Sequence, residues 1–114
     1  MAANVTIYHN PRCSKSRQTL QLLEDRGLDA TIVEYLKDPP DAKTLEQIAT
    51  KLGIEPAELI RSREYKELDL PPTDEPAELF RRMAENPQII QRPIVVKGNH
   101  ARIGRPPEDV LEIL

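Results

Sequence analysis

The chain has 114 residues, 39% of them apolar, so we expect a single domain over residues 1–114 with one modest hydrophobic core. Its formal charge of −3 argues against nucleic acid as a general partner, because binding the phosphate backbone needs a basic face. One cysteine cannot form an internal disulfide, the N-terminus lacks a signal-peptide pattern, and no apolar run approaches the roughly 20 residues that span a bilayer. We therefore expect a cytoplasmic protein without a membrane partner.

The first third of the chain has the pattern of a β–α–β unit. Residues 5–8 are β-branched and aromatic, as in a buried strand, and Asn10-Pro11 breaks the chain after them. Helix-forming residues then run from 14 to 26, with Gly27 where a left-handed cap is expected, and residues 31–36 repeat the strand composition. Such a crossover makes its two strands parallel.

A helical insert is predicted to follow. Apolar residues with helical spacing predict a helix that ends before Gly53, with Thr44 and Gln47 spaced as in a capping box. One or two helical turns are predicted over 56–61 and again over 65–68.

The last part of the chain is predicted to contain a further helix, a hairpin and a final helix. The further helix covers 74–85, with Asp74 as its cap, and two short strands then flank residues 97–100. Pro93 stands at the entrance of the first of these strands, and the final helix opens at Pro106 with its buried side supplied by Val110, Leu111, Ile113 and Leu114. This order of elements matches an α/β, thioredoxin-like fold: a four-stranded mixed sheet flanked by helices, with the helical insert between the second and third strands.

The only cysteine, Cys13, lies at the predicted start of the first helix. Unpaired backbone N–H groups at a helix N-terminus and nearby cations favour the thiolate, and the same groups can receive an oxyanion. Arg12 and Lys15 supply charge nearby, and His9 lies four residues upstream, so these three residues are candidates for tuning the thiolate. A lone cysteine is often only a small buried apolar residue, but polar and cationic flanks favour a reactive thiolate here.

Three segments resemble motifs of the glutaredoxin-dependent arsenate reductase family, and the similarity runs nearly end to end. They are YHNPRCSKSR at residues 8–17, RPIVV at 92–96 and RIGRPP at 102–107. The resemblance implies a thioredoxin-like fold in which Cys13 is the essential cysteine. It also implies that arsenate or a similar oxyanion is reduced through a covalent Cys13 adduct, with glutathione as co-substrate, glutaredoxin as partner, and no metal or tightly bound cofactor.

The family also has a cluster of arginines that bind the oxyanion. Carried over by motif, these are Arg61, Arg92 and Arg105, with Arg63 competing with Arg61 for the same role. The resemblance further implies a cis peptide bond before Pro93, with this proline facing the cysteine. Most arginines in any chain are solvated surface residues, but Arg92 and Arg105 each lie at an element boundary beside a proline.

Other functions would use the same cysteine. A monothiol glutathione-dependent disulfide oxidoreductase would use Cys13 and Ser16 as a Cys-x-x-Ser arrangement, but disulfide exchange needs no arginines that converge on an oxyanion. Relatives of this fold that bind RNA polymerase carry a Cys-x-x-Cys redox switch, whose second cysteine is replaced here by Ser16. A phosphatase-like arsenate reductase is disfavoured because three residues, not five, separate Cys13 from Arg17.

Overall fold

The computed structural model describes residues 5–114. These residues form two compact units, of which the first contains residues 5–38 and 92–114 and the second contains residues 39–91. The single domain over residues 1–114 stays a prediction. Residues 1–4, on which part of the signal-peptide expectation rests, lie outside the described residues. Within residues 5–114, no helix combines the length and the apolar character needed to cross a membrane.

The first unit is built on a four-stranded sheet. Its elements are β1 (Val5–His9), α1 (Ser14–Asp25), β2 (Thr31–Glu34), β3 (Ile94–Lys97) and β4 (His100–Ile103). The strands lie in the order β2-β1-β3-β4, with β1 and β2 parallel and the other two pairs antiparallel. The predicted mixed sheet is therefore confirmed, as is the hairpin formed by β3 and β4.

Local hydrogen bonds set the ends of α1 and β2. Gly27 has a φ of +72° and donates its N–H to the carbonyl of Glu24 at 2.9 Å, so the predicted left-handed cap is confirmed. β2 ends two residues before its predicted end. The carbonyl of Glu34 accepts the N–H groups of Lys37 and Asp38, both at 2.9 Å, and this closes a turn where the strand had been expected to continue.

The core of the first unit joins the sheet, α1 and the C-terminal segment. Its buried side chains are Val5, Ile7, Leu23, Val95 and Val110. The predicted final helix is a 3-10 helix over Pro107–Ile113. Prolines 106 and 107 have no N–H to donate, so the segment begins with an i→i+3 bond from the N–H of Asp109 to the carbonyl of Pro106 at 3.0 Å. The other apolar residues expected on its buried side are only partly buried, namely Leu111, Ile113 and Leu114.

Short helices form the second unit, which is the helical insert predicted between the second and third strands. Its elements are α2 (Ala42–Leu52), α3 (Ser62–Glu67), α4 (Pro76–Glu85) and two 3-10 helices over Pro56–Leu59 and Pro87–Ile89. Ile60 and Ile90 form an isolated antiparallel bridge, which ties the start of α3 to the end of the unit.

Two predicted helix caps are wrong. Asp41 caps α2, because its carboxylate accepts the N–H of Thr44 at 2.8 Å, so the helix starts before the predicted capping box. Glu75, and not Asp74, is the N-cap residue of α4. Pro76 occupies the first helical position, where its fixed φ starts the helix and its missing N–H needs no capping acceptor.

A buried arginine ties the second unit together. Arg82 Nη1 donates to Tyr65 Oη at 2.6 Å and to the carbonyl of Pro71 at 2.8 Å, and Nε donates to Glu78 Oε2 at 2.8 Å. Hydrogen bonds from Arg81 and Arg82 lower the pKa of Glu78 to about 2. The network joins α3, the segment after it and α4 through satisfied polar groups.

Candidate active site

A tight turn holds Cys13 between the end of β1 and the start of α1. Cys13 is the N-cap residue of α1, and its N–H donates to the carbonyl of Asn10 at 3.0 Å. The side chain of Asn10 accepts the N–H of Arg12 at 3.0 Å, and Arg17 Nη1 donates to the carbonyl of Pro11 at 2.9 Å. These bonds fix the thiol at the N-terminus of the helix, where the sequence predicts it.

Several groups act on the protonation of Cys13. Partial burial raises the pKa of the thiol, but hydrogen bonds from the backbone N–H groups of Ser16 and Lys15 lower it, and the guanidinium of Arg92 lowers it by hydrogen bonding and by charge. The net pKa lies below the ordinary value, so the thiolate is favoured. The contribution of Lys15 comes from its backbone. The side chains of Lys15 and Arg12 are exposed, and tuning by their charges stays a prediction.

Two arginines from outside the turn approach the thiol. Arg105 follows β4, and its Nη2 lies 3.5 Å from Cys13 Sγ. Its Nε donates to the carbonyl of Arg92 at 2.7 Å, so one guanidinium joins the sulfur to the entry of β3. The first unit therefore brings Cys13, Arg92 and Arg105 together.

Proline residues flank both arginines. The Arg92–Pro93 peptide bond is cis, as the resemblance implies, and the Arg105–Pro106 bond, for which no such prediction exists, is also cis. The carbonyl of Pro93 accepts the N–H of Gly104 at 2.9 Å, which links the two proline segments. The role of Pro93 in facing the site stays a prediction.

Gly104 allows the segment that carries Arg105 to pass close to α1. A Cβ atom at this position would lie 2.5 Å from Thr19 Oγ1 and 2.9 Å from Pro93 Cγ, both too close for any side chain. Thr19 is itself buried and donates through Oγ1 to the carbonyl of Lys15 at 2.8 Å. Gly104 is a site residue that the sequence reasoning missed, and its place inside the motif RIGRPP is the signal that could have found it.

His9 contacts the helix through Ser16. His9 Nδ1 lies 2.6 Å from Ser16 Oγ, and the N–H of Asn10 donates to the same Oγ at 3.0 Å; the side chains of His9 and Ser16 are both buried. Burial lowers the pKa of His9, and Arg17 lowers it further, whereas Glu34 raises it; the net direction is downward, which favours neutral imidazole at neutral pH. The N–H of Ser16 lowers the pKa of the Cys13 thiol, so His9 is positioned to affect the thiol through Ser16. The tuning role of His9 stays a prediction.

The candidates for the third arginine lie in the second unit. Arg61 is the N-cap residue of α3, and its Nε donates to Glu64 Oε2 at 2.7 Å with 22% of the side chain exposed. Arg63 is 90% exposed and lies 3.8 Å from Glu67. Arg61 is therefore the less exposed of the two and has the closer ion-pair partner, and the role of either residue stays a prediction. Among residues 5–114, no group of three or more His, Cys, Asp or Glu side chains could hold a metal ion.

The sheet order, the helix that follows β1 and the cysteine at its N-terminus define a protein with a thioredoxin-like fold. A protein-family model described as "ArsC family" matches residues 8–113 of the chain. The chain belongs to the ArsC family.

Three similar proteins cover all or nearly all of the chain. The uncharacterized protein YfgD of Escherichia coli K12 is 51% identical, covering 100% of this chain and 99% of YfgD. An arsenate reductase of Haemophilus influenzae Rd is 49% identical, covering 97% of this chain and 99% of that protein. The solved structure of an arsenate reductase from Vibrio cholerae has a TM-score of 0.94 at 47% identity, covering 100% of both chains.

Proposed function

We propose that this protein reduces arsenate to arsenite, with Cys13 as the nucleophile. The observation that carries the proposal is the convergence of two guanidinium groups on one activated thiol: Arg105 Nη2 lies 3.5 Å from the sulfur, and Arg92 lowers the pKa of the thiol. The names of the relatives from Haemophilus influenzae and Vibrio cholerae support the same substrate.

The arginines and the helix N-terminus suit a tetrahedral oxyanion. A guanidinium donates paired N–H groups to two oxygens of one anion, and the N–H groups at the start of α1 add donors beside the sulfur. In this proposal Arg92 and Arg105 bind the oxygens that do not leave. The third guanidinium, which the family resemblance assigns to Arg61, stays a prediction. The bound anion then has its arsenic atom next to the thiolate.

The chemistry requires two thiols, because reduction of arsenic(V) to arsenic(III) takes two electrons and Cys13 is the only cysteine. The thiolate of Cys13 attacks arsenic, an S–As bond forms and a protonated oxygen leaves as water. The sulfur of glutathione then bonds to the sulfur of Cys13, and the electron pair of the S–As bond stays on arsenic, which leaves as arsenite. A thiolate of glutaredoxin attacks the glutathione sulfur and releases Cys13. Because the proposed reaction consumes reduced glutathione, the proposal includes a cytoplasmic location.

A coupled assay tests the proposal. Protein, arsenate, glutathione, glutaredoxin and glutathione reductase are mixed, and the loss of NADPH is followed. We expect turnover that requires arsenate and is abolished by Cys13→Ser. The contrary result is that the protein turns over a small organic disulfide, while its activity with arsenate does not exceed that of Cys13→Ser. This result would identify a monothiol disulfide oxidoreductase.

A further inference from the structure

A pocket of about 280 Å³ opens beyond the carboxyl ends of the parallel strands β1 and β2. Residues 9–12 line one side, and Glu34, Leu36 and Lys37 line the other. Because β2 and β3 flank β1 on opposite sides, this pocket and the arginine at the entry of β3 lie on opposite sides of the Cys13 turn. The space outside the carboxyl ends of parallel strands is a common place for ligands in open α/β sheets.

The pocket is lined by positively and negatively charged side chains, and the ion pair between two of them is weak. Lys37 Nζ lies 3.7 Å from Glu34 Oε1, with the two side chains 82% and 44% exposed. An exposed pair at this distance is held weakly and exchanges easily with a ligand. The side chain of Arg12 is also exposed, so two cations and one carboxylate are available together with the amide of Asn10.

An apolar side chain completes the lining. Leu36 is 44% exposed and is one of three large apolar side chains classed as exposed within residues 5–114. Contact with a leucine does not strengthen the binding of an inorganic anion. The methylene groups of an organic ligand, in contrast, can pack on Leu36 and remove its apolar surface from water. The combination of carboxylate, ammonium, guanidinium, amide and leucine suits a small zwitterionic peptide.

The pocket is connected directly to the reactive turn. Asn10, which lines the pocket, accepts the N–H of Cys13 through its carbonyl at 3.0 Å, and Arg12 immediately precedes the cysteine. An extended tripeptide is about 10 Å long, so its outer groups can occupy the pocket while its central residue reaches the neighbouring turn. A ligand in the pocket therefore lies beside the turn that carries the sulfur.

We propose that this pocket binds the co-substrate thiol, a zwitterionic thiol peptide of the glutathione type. Glu34 receives the ammonium group of the peptide, and Lys37 and Arg12 receive its carboxylates. The identity of the ligand rests on the proposed function, in which an external thiol takes up the second oxidising equivalent.

Binding can be measured without turnover. S-methylglutathione has no free thiol and cannot react, so it is titrated into the full-length protein while backbone amide signals are followed by NMR. We expect saturable shifts centred on residues 9–12 and 34–37. Lys37→Glu should weaken the affinity by about fivefold or more, because it replaces attraction with repulsion. Lys43→Glu makes the same charge change at an exposed position in the first turn of α2 and should leave the affinity unchanged.

Each outcome decides the proposal. Shifts at the pocket that sulfate alone reproduces would mean a simple anion site, and shifts elsewhere or an unchanged affinity for Lys37→Glu would mean that the peptide binds at another place; both overturn the proposal. The readout is independent of arsenate. Loss of arsenate turnover with intact peptide binding would refute the proposed function alone, whereas turnover without binding at this pocket would refute only the present inference.

Discussion

Replacing Arg105 with lysine keeps the positive charge near Cys13 but removes the forked geometry of the guanidinium. In the structure one group makes two contacts in different directions, through Nε to the carbonyl of Arg92 at 2.7 Å and through Nη2 to Cys13 Sγ at 3.5 Å. A lysine ammonium is a single point on a flexible stem and cannot make both contacts at once. We therefore expect Arg105→Lys to lose at least one bond while the net charge stays the same.

The size of the effect follows from the exposure of Arg105. Hydrogen bonds to charged groups are worth roughly 1.5–3 kcal/mol, and the lower end applies because this residue is exposed to solvent screening. A loss of about 1.5 kcal/mol corresponds to roughly a tenfold fall in kcat/KM for arsenate. The coupled assay measures this ratio, and thermal unfolding checks that the fold is retained.

Arg26→Lys provides the matched control. Arg26 is exposed at the C-cap of α1, about 20 Å along the helix from Cys13, so the same substitution there should leave kcat/KM unchanged. Equal and small effects at Arg26 and Arg105 would show that Arg105 is ordinary surface charge. That result would refute the reasoning that the guanidinium binds the oxyanion.

Three further predictions concern packing and protonation. Gly104→Ala should reduce the free energy of unfolding by about 1–3 kcal/mol, measured by urea titration, because its Cβ would displace Thr19 and Pro93; stability equal to wild type would contradict the close approach. Alkylation of Cys13 by iodoacetamide in oxyanion-free buffer should show an apparent pKa below about 8.5, since the net shift is downward; a value at or above it would contradict the activated thiol. The pKa of Glu78 is depressed to about 2, so its stabilising bonds to arginine are complete above its unfolded pKa of about 4.3 and are lost as the pH falls towards 2. Glu78→Gln should therefore flatten the fall in stability between these two values, and an unchanged acid titration of unfolding would contradict the network.

Local signals explain what could be predicted from the sequence. The hairpin depends on a two-residue turn beside β-branched strands, and the position of Cys13 depends on a strand, a proline break and a helix in immediate succession. Such features involve neighbours in the chain, and composition reports on them directly. Asp41 and Thr44 lie three positions apart and both are favourable capping residues, so propensity alone does not decide where α2 starts.

Contacts between distant residues could not be predicted in the same way. The approach of Gly104 to Thr19 joins two segments that are far apart in the chain, and nothing in either segment alone requires it. The bond from Arg105 to the carbonyl of Arg92 likewise depends on how the end of β4 passes the entry of β3. The motifs indicated that these residues matter, but only the fold assigns their contacts.

Mass spectrometry of a single turnover tests the central claim most directly. Reduced protein is mixed with arsenate and glutathione in the absence of glutaredoxin, and the arsenite released and the mass of the protein are both measured. The account predicts one arsenite per protein molecule and the addition of one glutathione as a disulfide on the peptide that contains Cys13, both dependent on arsenate. Arsenite release without modification of Cys13, or the same modification whether or not arsenate is present, would contradict it.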